Sequence, residues 1–262
     1  MTSHGTRFRR VLITGASSGL GAALARECAG PGVALHLSGR DEARLAAVAD
    51  ACRGRGAEVA ARVLDVRDAD AMADWIAGAG ALDLAIANAG VSAGTGDAWE
   101  PPEQSRRLFE INVTGVLNTA LPAITAMAAQ PAGPDGVRGR VAVIASIAAF
   151  VAAPGAPAYC ATKSAVQRWA EAMDATERHR GVRLHAVCPG YVRTPMTARN
   201  AFPMPFLMDA EDAARRTLAG IAAGRVRVVY PWPLYAAARV VGALPPAWRA
   251  ALFARLPAKA AD

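Results

Sequence analysis

Short apolar segments that alternate with longer Ala-rich and Arg-rich segments constrain the fold of this chain more than any other feature. The apolar segments, each the length of one buried strand, are 10–14, 33–38, 58–64, 82–88, 140–146, 182–188 and 226–230. The segments with helical periodicity are 19–29, 41–53, 68–78, 103–128, 158–180 and about 210–223. Strands that are apolar on both faces and alternate with helices predict a mainly parallel sheet flanked by helices on both faces. The predicted fold class is therefore α/β, as a single doubly wound domain.

The length and composition are those of a chain that folds as one domain. With 262 residues, of which 53% are hydrophobic and 19% are charged, the chain can bury a substantial core. After about residue 230, two short helical stretches are predicted, interrupted by Pro245 and Pro246. We therefore expect a main unit at residues 1–232 and a short helical C-terminal tail of the same domain at 233–262.

The positive charge of the chain is spread along its length. A formal net charge of +7 is a signal for nucleic acid or an anionic membrane surface as a partner. The arginines, however, occur through most of the sequence, and no basic stripe with interleaved aromatic residues is present. Nucleic acid is therefore not an expected partner.

The spacing of cysteines and histidines bears on location and on metal binding. Cys28, Cys52, Cys160 and Cys188 lack CxxC spacing and lie in apolar or helical segments, which indicates buried, reduced thiols in a cytoplasmic protein. The histidines have no ligand spacing with one another or with the cysteines, so no metal site is expected. No run of 18 uninterrupted apolar residues occurs, so no transmembrane segment is predicted.

A glycine-rich turn, "TGASSGLG", follows the first predicted strand and contains Gly15, Gly19 and Gly21. At this position in an open α/β sheet, missing side chains let the backbone and the next helix N-terminus approach a pyrophosphate. A dinucleotide is the ligand that this arrangement favours. Glycines also occur in turns that bind nothing, so the motif by itself leaves both interpretations open.

The end of the second predicted strand bears on which dinucleotide is bound. An acidic residue there accepts a hydrogen bond from the ribose 2′-hydroxyl, whereas an arginine pairs with a 2′-phosphate. This chain has Gly39 and Arg40 at that point, which favours NADP(H) over NAD(H). The alternative is that Arg40 is an ordinary solvated charge at a helix start.

Tyr159 and Lys163 stand four residues apart in a predicted helix, so their side chains lie on one face, one turn apart. A phenol has an ordinary pKa near 10, and a nearby cation stabilises its phenolate. A lysine at this spacing therefore tunes the tyrosine toward acid/base chemistry. For an isolated YxxxK pair the alternative is a surface pair, and the glycine turn favours the chemical interpretation.

Together these motifs resemble the short-chain dehydrogenase/reductase family. The resemblance is carried in order over about residues 8–230 by "TGASSGLG", "ANAG" (87–90), Asn112, Ser146, "YCATK" and "PGYVRT" (189–194). It implies a Rossmann-type fold and a nicotinamide cofactor. It also implies four catalytic residues: Tyr159 as general acid/base, Lys163 at the nicotinamide ribose, Ser146 at the substrate carbonyl and Asn112 as anchor of a proton-relay water.

The same resemblance implies the cofactor contacts. Gly15, Ser17, Gly19 and Gly21 would surround the pyrophosphate, Arg40 the ribose phosphate, Asp65 and Val66 the adenine, Asn88, Ala89 and Gly90 the adenosine ribose, and Thr194 the carboxamide. The implied set is completed by Leu20, Tyr159, Lys163, Pro189, Gly190 and Val192. Ala87 stands where the family often has a further asparagine, and we expect little loss because Asn88 remains.

A segment rich in Pro, Met and Phe, at about 191–210, is predicted to form an apolar substrate lid. The residues expected to line an apolar cleft are Met196, Phe202, Met204, Phe206, Leu207 and Met208, with Ile147, Phe150 and Val151. They favour a lipophilic ketone, aldehyde or secondary alcohol as substrate. The alternative is that they pack as core or as a dimer contact.

The tail beyond residue 230 carries aromatic and aliphatic residues between Arg239, Arg249 and Arg255. It either forms an amphipathic segment at a membrane surface or packs against the domain or a second subunit, and packing is favoured.

Three classes of function share parts of this set of motifs. The favoured one is an NADP(H)-dependent oxidoreductase that moves a hydride between nicotinamide and a carbonyl or secondary alcohol. A sugar-nucleotide epimerase or dehydratase shares the Tyr and Lys chemistry but usually has a longer substrate domain and another glycine spacing. A non-catalytic NADP(H)-binding sensor or partner-binding protein on the same fold does not need a tuned phenol. The resemblance further implies a homodimer or homotetramer through the helices at 103–128 and 158–180.

Overall fold

The computed structural model describes residues 8–95, 99–200 and 202–253. The ends of the predicted domain and tail, including Arg255, and one lid position, Ala201, lie outside the described residues.

Seven strands form one parallel sheet at the positions that the apolar segments predict. They are β1 Arg10–Ile13, β2 Ala34–Gly39, β3 Glu58–Val63, β4 Leu84–Ala87, β5 Gly139–Ile144, β6 Val182–Pro189 and β7 Arg227–Tyr230. Their order across the sheet is β3-β2-β1-β4-β5-β6-β7, and each neighbouring pair is parallel. The order reverses between β1 and β4. In doubly wound sheets a ligand binds at the carboxyl ends of the strands at such a reversal.

Helices cover both faces of the sheet. They are α1 Gly19–Cys28, α2 Glu42–Arg53, α3 Ala69–Gly78, α4 Pro102–Phe109, α5 Gly115–Ala129, α6 Pro157–Glu177, α7 Ala210–Ala222, α8 Trp232–Ala243 and α9 Pro246–Phe253. One core joins α1, α2 and α7 to the sheet through residues such as Leu24, Val48 and Ile221. A second core joins α3 and α5 to the opposite face through Ile76, Ile124 and Met127. The prediction of an α/β fold with helices on both faces is confirmed.

The structure departs from the predicted pattern in two elements. β3 is an edge strand whose residues are largely exposed, including Val63, because only β2 pairs with it. The single helix predicted at 103–128 is interrupted by a π-helical turn, Glu110–Thr114, between α4 and α5. A π turn inserts one residue into the helical repeat and is common at functional sites. Asn112 lies within this turn.

The helical run Pro102–Ala129 is, among the described residues, long and apolar enough to cross a membrane by length and composition. Half of its most apolar stretch is buried inside the fold, where Ala120, Ile124 and Met127 belong to the second core. Core packing therefore accounts for the apolar character of this run.

The tail helix α8 packs by one face against the 3-10 turn Ile147–Phe150. The Tyr235 ring meets the Phe150 ring edge-on with centroids 5.0 Å apart. A Cβ on Gly242 would lie 1.9 Å from the carbonyl oxygen of Phe150, so the helix backbone contacts that turn directly. The opposite side of α8 exposes Trp232 and Val240 to solvent.

Acid is expected to destabilise the fold through His185, a fully buried residue of β6. Its Nδ1 donates to the carbonyl oxygen of Arg225 at 2.7 Å, and its Nε2 has no partner among the described residues. Burial lowers the pKa of His185 from 6.5 to about 4, and Arg140 and Arg183 add to the effect. Between these two pH values the unfolded chain binds a proton that the folded chain does not. The free energy of unfolding should therefore fall by about 3 kcal/mol as the pH drops through this window.

Urea unfolding across this pH range checks the expectation, with His185→Gln as the variant that lacks this titration. The difference in the free energy of unfolding between wild type and His185→Gln should be constant above pH 6.5 and should narrow toward pH 4. The exposed His179→Gln variant is the control and should keep the wild-type pH dependence. Parallel curves for wild type and His185→Gln would contradict the assignment to His185.

Candidate active site

The glycine-rich turn connects β1 to α1, and Gly15, Gly19 and Gly21 line the cleft with Ser18 and Leu20. Gly15 and Gly19 have positive φ angles of 65° and 55°, which non-glycine residues rarely adopt. A Cβ on Gly21 would lie 2.3 Å from the carbonyl oxygen of Gly15 and 2.5 Å from Nδ2 of Asn88. Only glycine therefore fits at these positions without moving the turn. A turn that binds a pyrophosphate through its backbone has the same requirement.

Asn88 fastens this turn to the end of β4. Its Nδ2 donates to the carbonyl oxygens of Thr14, at 2.9 Å, and Gly15, at 3.2 Å. The Thr14 hydroxyl in turn accepts the backbone N–H groups of Asn88 and Ala89, at 3.1 and 3.2 Å. The side-chain amide of Asn88 thus holds the protein backbone, while Asn88, Ala89 and Gly90 still line the cleft beside the turn.

The end of β2 places Arg40 next to the glycine turn. A Cβ on Gly39 would lie 3.0 Å from the Ser17 hydroxyl oxygen, so the two segments are in contact. Arg40 is exposed, and within the described chain no hydrogen bond or ion pair engages its guanidinium. The neighbouring acid, Asp41, caps α2 and pairs with Arg44 at 2.8 Å. Apart from an electrostatic interaction with Asp65, the exposed Arg40 guanidinium is therefore available to an anion.

The residues expected near the adenine lie after β3. Asp65 is held by Arg67, with Nη2 and Oδ2 2.7 Å apart, and these hydrogen bonds hold the pKa of Asp65 below its ordinary value. Val66 is buried, and its carbonyl oxygen accepts from Nδ2 of Asn118 at 2.9 Å. Contacts within the protein therefore fix the Asp65 carboxylate and the Val66 backbone.

The π turn brings the fully buried side chain of Asn112 to the loop after β4. Its Oδ1 accepts the N–H of Val91 at 2.9 Å, and its Nδ2 donates to the carbonyl oxygen of Val91 at 3.0 Å. Nδ2 also lies 3.2 Å from the hydroxyl oxygen of Thr162 on α6. The Asn112 amide therefore ties the loop to the helix that carries Tyr159 and Lys163.

Tyr159 and Lys163 lie one turn apart on α6, in agreement with the predicted helix. Lys163 is only 5% exposed, and its Nζ donates to the carbonyl oxygen of Ile144, at the end of β5, at 2.8 Å. The same Nζ lies 5.9 Å from the centroid of the Tyr159 ring. A Cβ on Gly90 would lie 3.4 Å from this Nζ, so the ammonium also borders the loop after β4.

Ser146 begins the 3-10 turn after β5, where its Oγ accepts the N–H of Ala148 at 3.1 Å. The Tyr159 hydroxyl hydrogen-bonds to the side chains of Ser146 and Ser92. Burial raises the pKa of Tyr159 above 10, and these two hydrogen bonds oppose that rise without cancelling it. The phenol is therefore protonated at neutral pH, which is the form that can donate a proton. Lowering of this pKa by Lys163 stays a prediction.

The described structure gathers these groups around one cleft of about 170 Å³. Of the residues predicted from sequence, it is lined by Gly15, Gly19, Leu20, Gly21, Asn88, Ala89, Gly90, Ser146, Tyr159, Lys163, Pro189, Gly190, Val192 and Thr194. Ser17, Arg40, Asp65, Val66 and Asn112 lie outside its lining. Asn112 instead contacts the backbone of Val91, which does line the cleft.

The predicted lid is anchored at both ends but contributes little to this lining. Val192 and Met208 form an isolated parallel bridge, and the N–H of Arg193 donates to the Met208 carbonyl oxygen at 2.8 Å. Met196 lines the cleft with Pro195 and Thr197, whereas the other expected lining residues, Ile147, Phe150, Val151, Phe202, Met204, Phe206, Leu207 and Met208, do not. Phe206 is instead exposed, with a positive φ of 58°.

Three polar residues at the site were not predicted. Thr14 holds the loop after β4, Ser92 contacts the Tyr159 hydroxyl, and Glu100 accepts the N–H of Ala158 at 3.0 Å, at the start of α6. Thr14 had a usable signal, because it is the polar residue that ends an apolar strand. Ser92 and Glu100 belong to no motif, and only the folded loop brings them to α6.

The family model for short chain dehydrogenase matches residues 9–202 of this chain. An uncharacterized oxidoreductase of Myxococcus xanthus is 38% identical over 245 residues, which cover 91% of this chain and 93% of that protein. The chain belongs to the short-chain dehydrogenase/reductase family. It is accordingly an oxidoreductase that uses a nicotinamide cofactor.

Solved structures of the family share the fold. A short-chain dehydrogenase from Sphingobium yanoikuyae in complex with NADPH is 27% identical, with a TM-score of 0.76, and the match covers 90% of this chain and 96% of that one. A short-chain dehydrogenase/reductase from Burkholderia phymatum in complex with NAD is 24% identical, with a TM-score of 0.80, and the match covers 98% and 99%.

Substitution of Gly21 is expected to damage the cofactor cradle. In Gly21→Ala the new methyl group meets the Gly15 carbonyl and the Asn88 amide, so the turn must shift. Overpacking of this kind costs about 1–3 kcal/mol of folding free energy, and binding of the dinucleotide should weaken further because the cradle itself moves. Thermal unfolding and NADPH titration, followed by nicotinamide fluorescence, measure the two effects.

Gly30→Ala is the matched control, since a Cβ there meets nothing within 4 Å. Gly30→Ala should leave the thermal stability and the affinity for NADPH near wild type. Equal effects of the two substitutions would show that the close approach at Gly21 is unimportant.

Proposed function

We propose that this protein is an NADP(H)-dependent oxidoreductase that interconverts a carbonyl and a secondary alcohol, with Tyr159 as general acid/base. The observation that carries the proposal is the convergence of Tyr159, Ser146 and Lys163 on the cleft that the glycine turn also lines. Such a site joins a proton donor to a dinucleotide cradle, and carbonyl reduction needs both.

The glycine turn fits a dinucleotide cradle because Gly15 and Gly21 let its backbone pack closely on itself and on the end of β4, where Cβ atoms would meet the Gly15 carbonyl, Asn88 and Ala89. When bound there, the nicotinamide supplies or accepts the hydride. The residues expected to hold the cofactor are those of the glycine turn, with Arg40 and Ser17 at the adenosine end and Thr194 at the nicotinamide end. The closeness of Thr194 to the turn supports this proposal, since a Cβ on Gly19 would lie 3.1 Å from Thr194 Cγ2.

In the reductive direction the Tyr159 hydroxyl donates its proton to the carbonyl oxygen, and in the oxidative direction the phenolate takes the hydroxyl proton back. Ser146 donates a hydrogen bond to the same substrate oxygen. Lys163, held by the Ile144 carbonyl, places its positive charge near the ring and stabilises the phenolate. The Asn112 amide is occupied by Val91 and Thr162, so we assign the predicted relay water to the Asn112 backbone at the π turn.

The substrate proposed is a lipophilic ketone, aldehyde or secondary alcohol. Met196 lies at the mouth of the cleft, 40% exposed, and Tyr191 and Phe202 stack edge-on with centroids 6.0 Å apart in the same segment. Met and aromatic side chains adapt to apolar ligands of variable shape. We propose that the 191–210 segment closes over such a substrate.

Turnover tests the proposed reaction directly. NADPH oxidation against aliphatic, aromatic and steroid-like carbonyls of increasing size should rise with apolar size. Tyr159→Phe should reduce it by about 10²–10⁴-fold, because the proton donor is lost. Tyr191→Phe is the control, because it removes the hydroxyl of another half-buried tyrosine but keeps the ring that meets Phe202 in the 191–210 segment, and it should stay within a few-fold of wild type.

Equal rates on small polar and large apolar carbonyls would contradict the lipophilic substrate but leave the reductase intact. Tight NADPH binding with no turnover on any carbonyl would instead favour the non-catalytic sensor.

The preference for NADP(H) rests on Arg40. Arg40 is exposed, it follows Gly39, which contacts Ser17, and the neighbouring Asp41 pairs with Arg44 instead. A guanidinium forms charge-assisted hydrogen bonds with a phosphate, whereas a ribose 2′-hydroxyl offers it no charge.

Removal of Arg40 should therefore reduce the preference. In Arg40→Ala, kcat/KM for NADPH should fall by about 10–100-fold while that for NADH changes little. Arg53→Ala removes the same charge from an exposed position at the far end of α2 and should leave the ratio of the two constants unchanged. A wild-type protein that already prefers NADH would refute the assignment.

The remaining expectations are proposals of the same kind. Exposed Phe109 and Leu121, on α4 and α5, support a homodimer or homotetramer through these helices and α6. Four free buried cysteines support a cytoplasmic location. We also propose the domain to be residues 1–232, completed by the tail at 233–262, because α8 packs on the turn after Ser146. Contact of exposed Trp232 and Trp248 with a membrane surface is the weaker proposal for the tail.

A further inference from the structure

Ser92 lies on the loop after β4, between two residues that are fixed beside Tyr159. On one side, the Val91 backbone is held at both its N–H and its carbonyl by Asn112, at 2.9 and 3.0 Å. On the other side, Ala93 is 2% exposed and belongs to the small apolar cluster on which Tyr159 packs. The position of Ser92 relative to the Tyr159 ring is therefore set by its neighbours on both sides.

The same loop is fastened to α6 at a second point. Glu100 accepts the N–H of Ala158, the residue before Tyr159, at 3.0 Å, and so supplies the cap that α6 lacks in its own sequence. Gln104 donates to Glu100 at 3.2 Å and to the carbonyl oxygen of Gly94 at 2.9 Å. The loop and the start of α6 thus form one hydrogen-bonded unit, and the contact between Ser92 and Tyr159 lies inside it.

The Tyr159 hydroxyl hydrogen-bonds to the side chains of Ser146 and Ser92, and the two serines have different roles in the proposed reaction. Ser146 accepts the N–H of Ala148, which leaves its own hydrogen free to donate. In the proposed reaction that hydrogen is given to the substrate oxygen as the new O–H bond forms. Ser92 then remains as the hydroxyl that can donate to the phenol oxygen once Tyr159 has lost its proton.

We propose that Ser92 is a further catalytic residue, which donates a hydrogen bond to the Tyr159 phenolate while Ser146 donates a hydrogen bond to the substrate oxygen. The proposal deepens the proposed function and rests on it. In reduction, the O–H bond of Tyr159 breaks, the proton goes to the carbonyl oxygen, the hydride goes to the carbonyl carbon, and Ser92 keeps its own proton throughout. In oxidation, the Ser92 hydrogen bond holds the phenolate ready to accept the alcohol proton.

Ser92→Ala, with Ser92→Thr as the conservative variant, tests this role. A lost hydrogen bond to a charged oxygen is worth roughly tenfold in the ionisation of Tyr159. In Ser92→Ala, the pH profile of alcohol oxidation should therefore shift to the alkaline side by about one pH unit, with a fall in kcat of about tenfold at neutral pH. NADPH affinity and thermal stability should stay at wild-type values, and Ser92→Thr should restore the profile because it restores the hydroxyl.

Spectroscopic titration gives a readout that does not require turnover. The tyrosinate absorbance attributable to Tyr159, obtained by subtraction of the Tyr159→Phe protein, should appear about one pH unit later in Ser92→Ala than in wild type. An unchanged titration in Ser92→Ala would overturn the proposal. A wild-type protein that turns over no carbonyl or alcohol would refute the proposed function alone, since the titration would still decide whether Ser92 acts on Tyr159.

Discussion

The hydrogen bonds between Asn88 and the glycine turn are the constraint on which the site depends. A turn with glycines at its key positions has little intrinsic preference for one conformation, because glycine loses more backbone entropy than any other residue when it is ordered. The Asn88 amide and the Thr14 hydroxyl remove that freedom by joining the ends of β1 and β4. The cradle is therefore ordered by protein groups.

A second set of hydrogen bonds orders the chemical half of the site. Burial of the Lys163 ammonium is costly unless it is paired, and the Ile144 carbonyl provides its partner at 2.8 Å. Asn112 and Glu100 fix the loop after β4 against α6 from two directions. Three chain segments that are distant in sequence thus hold the Tyr159 phenol, its neighbouring hydroxyls and the Lys163 ammonium. Preorganisation of this kind is what lets polar groups act on developing charge without first reorganising.

The sequence was sufficient to predict the fold and several side chains that line the cleft, and the reasons are physical. Buried parallel strands are apolar on both faces, so their positions can be predicted from the sequence alone. Tyr159 and Lys163 share a helix, so their spacing reports their proximity. The exposure of β3 was not predicted, because an edge position depends on sheet order, which local composition does not encode. The π turn at Asn112 was missed because one inserted residue barely alters apolar periodicity. Ser92 and Glu100 were missed because their contacts with α6 span more than 50 residues of chain.

The contact between α8 and the turn after Ser146 has a consequence for protein engineering. The family match ends at residue 202, so a designer who exchanges substrate loops between relatives would treat α8 as an appendage. Yet Arg227 pairs with Glu171 of α6 and donates to Tyr235 of α8 at 2.8 Å, and Tyr235 packs on Phe150. A Cβ on Gly190, which lines the cleft, would lie 2.9 Å from Leu234 of the same helix. Gly190 and α8 therefore pack as one unit, and a chimera that divides them would separate this part of the cleft lining from the helix that supports it.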